Sequence, residues 1–498
     1  MMTDALTDMV TRELGFAPTA DQGKAIATFA SFMTARSDMA AMLMRGSAGT
    51  GKTTLASAIV RSLAALRWRM VLLAPTGRAA KVFALNAGHR AYTIHRRIYR
   101  QKALRADMGG FSLNNNLHSD TLFVVDEASM IANSSAGEAA FGSGCLLDDL
   151  VEYVYSGRNC RLMLIGDRAQ LPPVGEAESP ALSAGMMEGY GLTVFEAELD
   201  EVMRQGNGSG ILFNATVIRR MITHDELTGL PMIAFKGFAD ICIVNGDELI
   251  EALASSYSRA GTDETIVITR SNKRAVVYNR GIRAMVLGRE EELTTGDMVM
   301  VVKNNYHWTE NERRAEAAAA GTEAAGGKDS DDGGDDAEAV PAFLANGDRA
   351  VVRRVRRCRE LYGFRFADVT FSLPDYDDYE LTATTLLDTL ASEAPALTRE
   401  QNEQLFNAVM DDYADVPLKA DRIRKLKQDP YFNALQVKYA YAVTCHKAQG
   451  GQWKNVFLDQ GYMTDEYLTP DYFRWLYTAF TRATGTLYLV NYPEEQIV

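Results

Sequence analysis

The feature that most constrains this chain is a glycine-rich segment, Gly46-Ser-Ala-Gly-Thr-Gly-Lys52-Thr53, which stands between an apolar run and a helical stretch. Glycines let the backbone curl so that consecutive N–H groups point inward at the start of a helix, where a phosphate binds. Lys52 supplies a cation for the β- and γ-phosphates, and the Thr53 hydroxyl is placed to ligate Mg²⁺. The spacing therefore predicts a nucleoside triphosphate site on a strand–loop–helix unit.

A pair of carboxylates, Asp126 and Glu127, follows the apolar run 122–125. We expect Asp126 to hold the metal and Glu127 to orient and deprotonate the attacking water, because phosphoryl transfer needs both a metal anchor and a base. Alone, this pair could equally be a solvated turn. Together with the glycine-rich loop, it predicts hydrolysis of the triphosphate. Gln170 follows another apolar run and is long enough to reach a γ-phosphate.

Two arginines far apart in the chain, Arg204 and Arg482, are candidates for stabilising the charge of the transition state. An arginine contributed by a second domain acts in this way only when the two domains close. The alternative for each of them is an ion pair at the protein surface.

Short apolar runs alternate with helical stretches through the first 200 residues, which predicts a parallel α/β sheet. A second α/β series begins near residue 211. The strands expected in the first series are 42–44, 70–73, 122–125 and 162–165. The strands expected in the second are 265–268, 297–302, 438–443, 455–458 and 487–490. We therefore expect an α/β fold with two parallel-sheet domains.

An insertion interrupts the second series. Residues 309–340 are rich in alanine, glycine and acidic residues, which predicts a disordered loop. The strand-like segments 349–357 and 362–371 that follow predict a small β module. A helical, charge-rich stretch is expected at about 380–428.

Composition excludes some classes of protein and leaves the partner open. No run of about 18 apolar residues occurs, which argues against a membrane span. The five cysteines are scattered and form no CxxC pair, so we expect a reducing compartment and neither a disulfide framework nor a zinc site. The net charge of −13 disfavours a polyanionic partner, but residues 310–340 alone carry −7 of it. Basic clusters remain at 353–359 and 422–427, so a nucleic acid is not excluded.

The motifs and their order resemble those of the superfamily 1 helicases, in the 5′→3′ group that includes phage Dda, the RecD-like helicases and Pif1. The resemblance covers about residues 16–305 and 435–492. The segments that carry it are 16–22, 49–54, 74–80, 93–95, 126–127, 166–173, 202–205, 443–450 and 477–483.

This resemblance implies an ATP-dependent DNA helicase that moves 5′→3′ on single-stranded DNA and unwinds duplexes. It implies two RecA-like domains, the second interrupted by an SH3-like β module and a helical insertion. The implied bounds are 1–210 for the first domain with a small wedge at about 96–120, 211–308 and 435–498 for the second, 309–340 for the acidic loop, and 341–434 for the SH3-like module with its helices. ATP and Mg²⁺ are the implied cofactors, and single-stranded DNA and its junctions with duplex are the implied partners.

The resemblance also assigns roles to individual residues. The nucleotide would be bound by Gln22, Gly49, Thr50, Gly51, Lys52, Thr53, Thr54 and Gln452, with Gln22 on the base, Gln452 on the ribose, and Mg²⁺ on Thr53 and Asp126. Catalysis would rest on Lys52, Asp126, Glu127, Gln170, Arg204 and Arg482. Single-stranded DNA would contact Pro75, Thr76, His95, Thr444 and His446. In the wedge, Phe111 is the expected tip, and a simple connecting loop is the alternative.

Other functions remain open at this point. The chain could be a RecD-type motor subunit of an exonuclease complex, or a regulatory ATPase that grips DNA without processive unwinding. A nucleotide kinase would leave the segments 202–205, 443–450 and 477–483 without a purpose. The first residues are acidic and lack the apolar stretch of a signal peptide, so we expect a cytoplasmic, prokaryotic or phage-encoded protein. We further expect a monomer that acts in DNA repair, replication or recombination, with replication or repair proteins as further partners.

Overall fold

The fold contains two parallel α/β sheets and a closed β-barrel. The computed structural model describes residues 2–101, 111–133, 142–202, 208–224, 229–312, 341, 343–463 and 468–498. The strands of the first part of the chain are β1 Ala40–Gly46, β2 Arg69–Ala74, β3 Ala91–Thr93, β4 Tyr99–Gln101, β5 Phe111–Leu113, β6 Thr121–Val125, β7 Arg161–Gly166 and β8 Thr193–Leu199. Its helices are α1 Met2–Leu14, α2 Ala20–Thr34, α3 Lys52–Ala65, α4 Gly77–Ala87, α5 Ile94–Ile98, α6 Leu146–Ser156 and α7 Ala184–Gly189.

The first sheet is parallel throughout, in the order β3-β2-β6-β7-β1-β8. Helices cover both of its faces, so every residue of β1, β6 and β7 is buried and these strands are almost wholly apolar. Two separate hydrophobic clusters result, one on each face, with Phe29 in one and Phe123 in the other. The carboxyl ends of the strands, where ligands bind in such sheets, carry the motifs of the sequence analysis.

The second half of the chain builds the other sheet and the barrel. Its strands are β9 Ile241–Val244, β10 Thr265–Thr269, β11 Met298–Val301, β12 Arg349–Leu361, β13 Phe364–Leu373, β14 Tyr379–Leu386, β15 Leu435–Tyr439, β16 Ala442–Thr444, β17 Trp453–Asp459 and β18 Ala483–Val490. Its helices are α8 Gly210–Thr223, α9 Leu249–Ala260, α10 Asn272–Gly281, α11 Arg399–Asp411, α12 Lys419–Gln428, α13 Cys445–Ala448 and α14 Pro470–Phe480. The second sheet is parallel in the order β16-β10-β17-β18-β9, and β11 to β15 close the barrel.

Two strands expected in the second parallel sheet belong to the barrel instead. The predicted strand 297–302 is β11, which pairs antiparallel with β12 and β15. The predicted strand 438–443 is split at Ala440, so that β15 lies in the barrel and only β16 joins the parallel sheet. The prediction was wrong here because a short apolar run has the same pattern in a buried parallel strand and in a small barrel.

The α/β class and its two RecA-like parallel-sheet domains, the second interrupted by a small β-barrel and helices, are confirmed. The helical stretch expected at 380–428 was wrong at its start, because β14 occupies 379–386 and pairs with β13 in the barrel; the helices of this stretch are α11 and α12, which lie between β14 and β15. In the predicted acidic loop, residues 309–312 are helical, and 313–340 lie outside the described residues. Over the described ranges, no helix is long and apolar enough to cross a membrane.

The barrel and the second sheet share one continuous hydrophobic core. Val267 and Leu458 of the sheet belong to the same buried cluster as Val299, Val369 and Phe371 of the barrel. The first sheet has its own two clusters. The molecule therefore divides, by its packing, between the first sheet domain and a unit made of the second sheet and the barrel.

Candidate nucleotide site and nucleic-acid groove

The glycine-rich loop joins β1 to α3 at the carboxyl edge of the first sheet. Gly49 and Gly51 have φ of +79° and +81°, a left-handed conformation that side chains other than glycine rarely adopt. A Cβ on Gly46 would lie 2.8 Å from the Leu199 carbonyl oxygen. The glycines are therefore needed for the curled path that aims backbone N–H groups at a phosphate.

Lys52 lies at the start of α3, with its side chain folded back over the loop. Its Nζ donates a hydrogen bond to the Ser47 carbonyl oxygen at 2.8 Å, and the Thr50 hydroxyl donates to the same oxygen at 2.8 Å. Thr53 and Thr54 follow in the first turn of the helix. The ammonium group thus stands within the loop, where the phosphates of a nucleotide would compete for it.

Asp126 and Glu127 follow directly after β6, as the sequence indicates. Burial raises the pKa of Asp126, and the adjacent negative charge of Glu127 raises it further, while Lys52 acts in the opposite direction. The Glu127 N–H donates to Asp126 Oδ1 at 2.8 Å, and Glu127 has a φ of +53°. Two half-buried carboxylates side by side favour a bound cation, because its charge would offset their repulsion.

Arg482 brings a positive charge from the second sheet domain to this site. Its side chain is 2% exposed, and Nη1 lies 4.0 Å from Glu127 Oε1. The guanidinium also donates to the carbonyl oxygens of Thr478 and Gly451, at 3.1 and 3.2 Å. Arg204, the other predicted arginine, lies outside the described residues.

Gln170 lies in the segment after β7, which the second domain holds in place. The Leu171 N–H donates to the Thr478 hydroxyl at 2.9 Å, and the Gln449 side-chain amide donates to the Leu171 carbonyl oxygen at 2.7 Å. Gln170 is 6% exposed, and its Oε1 is buried without a hydrogen-bond partner among the residues that the structure describes. A buried acceptor of this kind is available to a water or a ligand.

Gln22 has a structural role that the sequence did not indicate. It is fully buried, its Oε1 accepts from the Thr19 N–H at 3.1 Å, and its Nε2 donates to the Thr50 carbonyl oxygen at 3.1 Å. The first bond caps α2 and the second fixes the glycine-rich loop. Gln452 is exposed, and its carbonyl oxygen accepts a hydrogen bond from Arg78.

The segments predicted to contact a nucleic-acid strand come from both domains and meet. Thr76 caps α4 by accepting from the Ala79 N–H at 3.2 Å, and Pro75 precedes it. A Cβ on Gly450, which has a φ of +71°, would lie 3.0 Å from the Thr76 hydroxyl oxygen. The tight approach joins the segments 74–80 and 443–450 into one surface.

The remaining predicted contacts lie beside that surface. Thr444 ends β16 and begins α13, on which His446 is exposed. His95 lies on α5, where its ring centre is 5.6 Å from that of Tyr99 and 6.2 Å from that of Phe343. Burial lowers the pKa of His95 to about 4, against the opposing charge of Asp149, so its imidazole is neutral at pH 7.

Comparisons with known proteins agree with this arrangement. Residues 18–220 match the AAA domain family, and residues 439–490 match the UvrD-like helicase C-terminal domain family. A stretch of 145 residues is 32% identical to the ATP-dependent RecD2 DNA helicase of Deinococcus radiodurans. The two family matches and the similarity to RecD2 support the resemblance to the superfamily 1B helicases of the Pif1 and RecD-like group.

Similarities to other proteins extend over more of this chain. The chain is 22% identical over 482 residues to Uncharacterized protein R530 of Acanthamoeba polyphaga mimivirus, covering 89% of this chain and 93% of that protein. The RecD2 match covers 28% of this chain and 17% of RecD2. The crystal structure of Pif1 helicase from Bacteroides in complex with ADP-AlF3 and ssDNA aligns with 97% of this chain and 95% of that one, at 15% identity and a TM-score of 0.44.

The chain has a short hairpin where the wedge was predicted. Strands β4 and β5 pair antiparallel, with Gln101 opposite Phe111, so the alternative of a simple connecting loop is wrong. Phe111 is not the tip, because residues 102–110, which lie outside the described residues, connect the two strands. Its ring centre lies 4.6 Å from that of Tyr306 and 6.3 Å from that of Phe343.

Two residues of the second half of the chain reach the glycine-rich loop, and the sequence analysis missed both. The Tyr477 hydroxyl donates to Asp167 Oδ2 at 2.5 Å and accepts from the Ala48 N–H at 2.9 Å. Arg219 of α8 donates to the Ser47 hydroxyl at 2.8 Å. Tyr477 lies in one of the motif segments, but nothing in its surroundings in sequence indicates a partner 429 positions away.

Proposed function

We propose that this protein is an ATP-dependent DNA helicase that translocates 5′→3′ along single-stranded DNA and unwinds duplexes. The observation that carries the proposal is the position of Arg482 of the second domain, 4.0 Å from Glu127 of the first. This arrangement makes hydrolysis depend on how the two domains sit against each other. The similarity to the ATP-dependent RecD2 DNA helicase supports the choice of DNA as the partner.

In the proposed reaction, Lys52 exchanges its bond to the Ser47 carbonyl for the β- and γ-phosphates of ATP. The backbone N–H groups of residues 49–53 would surround these phosphates, with Thr54 next in the helix. Thr53 and Asp126 would hold Mg²⁺, and the raised pKa of the half-buried Asp126 carboxyl fits a cation there. When bound, Mg²⁺ neutralises charge on the phosphate oxygens.

Hydrolysis itself would use three side chains around the γ-phosphate. Glu127 accepts the proton of the attacking water, and the unpartnered Oε1 of Gln170 accepts a second hydrogen bond from it. Arg482 stabilises the charge of the transition state from the second domain. Loss of the γ-phosphate removes the group that Arg482 faces, so hydrolysis favours opening of the cleft.

The roles of the other site residues are part of this proposal. Arg204 would assist Arg482, Gln22 would contact the adenine, and Gln452 the ribose. The strand would run over Pro75, Thr76, His95, Thr444 and His446, which contact backbone and sugars without reading the sequence. Because Thr76 meets Gly450 across the cleft, opening and closing would shift one half of this track against the other.

Domain organisation is also proposed. We propose a first domain over 1–210, with the wedge at 96–120, and a second over 211–308 and 435–498. The inserted module at 341–434 uses β11 and β15, which lie within the second domain's bounds, to close its barrel. A monomer in the cytoplasm, with roles in DNA repair, replication or recombination, stays a prediction.

The test is strand displacement by the purified chain under single-turnover conditions. Duplexes of equal length with a 5′ tail, a 3′ tail or no tail are compared, with tails of DNA or of RNA. Opening of the 5′-tailed DNA duplex in the presence of ATP and Mg²⁺, and its loss in Lys52→Ala, is the expected result. Preferential opening of the 3′-tailed duplex would reject the direction, and tail binding without any opening would favour the regulatory ATPase or a subunit of a larger motor.

A further inference from the structure

Two lysines face one cleft between the barrel and the second sheet. Lys438 projects from β15 of the barrel, and Lys447 from α13 of the sheet domain. Both line a cleft of about 30 Å³, together with Thr444, one of the residues proposed to contact the strand. No aspartate or glutamate lines this cleft within the part of the chain that the structure describes.

Neutral groups hold both ammonium ions. Lys447 Nζ donates to the Asn346 side-chain oxygen at 2.6 Å, and Lys438 Nζ donates to the Ser392 carbonyl oxygen. An ammonium group has three N–H donors, so each lysine retains two for another acceptor. Neither of these partners carries a charge that would balance the lysine.

Burial without a counter-ion shifts both groups toward neutrality. Burial lowers the pKa of Lys438 to about 8 and that of Lys447 to about 8, and for Lys447 the charge of Lys438 adds to the effect. Two like charges that share a poorly hydrated cleft are unfavourable, and an anion between them would remove the repulsion. The cleft is therefore suited to a singly or doubly charged anion.

We propose that Lys438 and Lys447 form a phosphate clamp that holds one phosphodiester group of the bound strand where the barrel meets the second sheet. This inference rests on the proposed function. A cleft of about 30 Å³ has room for a water or two, so the phosphate would sit at its mouth, within reach of the two lysines that line it. Thr444 places the mouth on the proposed strand track.

The clamp makes strand binding depend on pH. A bound phosphate favours the protonated lysines, so their pKa is higher with the strand than without it, and binding takes up protons. The contribution of the two lysines to strand affinity is complete below their pKa of about 8 in the free protein, and it is lost as the pH rises above that value. At pH 9, one unit above the free pKa, the loss is about 10-fold for each lysine whose bound pKa exceeds 9.

Neighbouring groups do not titrate in the same range. Tyr439, which also lines the cleft, donates to the Glu292 carbonyl oxygen, and burial raises its pKa to about 12. Arg280, which donates to the Ala391 carbonyl oxygen beside Ser392, stays charged. The cleft-lining residues of α10, Asn272 and Asn279 among them, are uncharged.

The experiment measures binding of a fluorescent oligothymidylate to the full chain by anisotropy, from pH 7 to pH 9 at constant ionic strength. The variants are Lys438→Arg with Lys447→Arg, Lys438→Met with Lys447→Met, and the control Lys454→Met, an exposed lysine of β17. Wild type and control should lose about 10- to 100-fold in affinity across this range. The arginine pair should bind equally at both pH values, because arginine stays charged.

The methionine pair should bind weakly at every pH, with a salt slope shallower by about 0.7 for one lost phosphate contact. If this pair fails to fold, the pH profile of the arginine pair decides alone. A profile in the arginine pair as steep as that of wild type would overturn the clamp. Failure of wild type to bind any oligonucleotide would instead reject the proposed function. In a competition experiment, millimolar inorganic phosphate is compared with unlabelled oligonucleotide for displacement of the labelled oligonucleotide. Equal displacement by the two would assign the clamp to a free anion and overturn the strand assignment.

Discussion

Replacing Tyr477 by phenylalanine tests whether its hydroxyl holds the two domains together. The change removes the hydrogen bond to Asp167 Oδ2 and the one from the Ala48 N–H, in a fully buried place. A buried polar group left without a partner costs about 1–3 kcal/mol. Asp167 retains the bond from the Ala169 N–H to its other oxygen, so we expect the closed arrangement to lose about 2–4 kcal/mol relative to the open one.

The assay is amide hydrogen exchange of the segment 166–173, read by mass spectrometry. The Leu171 N–H donates to the Thr478 hydroxyl across the cleft, so it exchanges when the domains separate. A loss of 2–4 kcal/mol should speed this exchange by about 30- to 1,000-fold. The matched control is Tyr488→Phe, whose ring stacks on Phe457 within the second sheet at 4.3 Å between centres.

The exchange rates show whether the Tyr477 hydroxyl holds the two domains together or whether only the packing of its ring matters. Peptides inside β1 should exchange at wild-type rates in both variants, because that strand is buried in the first domain. Equal exchange of 166–173 in Tyr477→Phe, Tyr488→Phe and wild type would refute the reasoning. It would mean that the hydroxyl does not limit separation of the domains.

Three further substitutions separate the steps of the proposed cycle. Lys52→Ala should abolish ATP hydrolysis, measured by phosphate release, while oligonucleotide affinity by anisotropy stays within a factor of about 3, since no strand contact is lost. Glu127→Gln should bind a fluorescent ATP analogue like wild type but turn over about 10²–10⁴-fold more slowly, and normal turnover would reject it as the base. Arg482→Ala should retain strand binding and lose ATP-dependent strand displacement; unwinding at wild-type rates would show that the second domain does not take part in hydrolysis.

The sequence predicted the parts of the site whose chemistry is local. The loop 46–53 and the pair Asp126 and Glu127 carry their geometry in adjacent residues, and the structure places them at the carboxyl ends of β1 and β6, which lie on either side of β7. Arg219 and Tyr477 could not be found in this way. Their partners in the loop lie 172 and 429 positions away, and only the fold brings them together.

The prediction of strands in the second domain also failed where pairing partners lie far apart in the chain. The four residues of β11 are all apolar and buried, as a central parallel strand would be. What places them in the barrel is antiparallel pairing with β12 and β15, which are separated from β11 along the chain by the acidic segment and the helices. Hydrophobic periodicity reports burial, and it does not report which strand lies alongside.

The shared core of the barrel and the second sheet links the position of the barrel to the proposed nucleotide cleft. Because the two pack as one body, a rotation that moves Arg482 away from Glu127 must also swing the barrel past the first domain. The contacts on that side of the molecule include Tyr376 beside Gly77, the Lys81 bond to the Pro374 carbonyl, and the Phe111 ring against that of Tyr306. Opening of the cleft in the proposed cycle would therefore break these contacts, and closure would form them again.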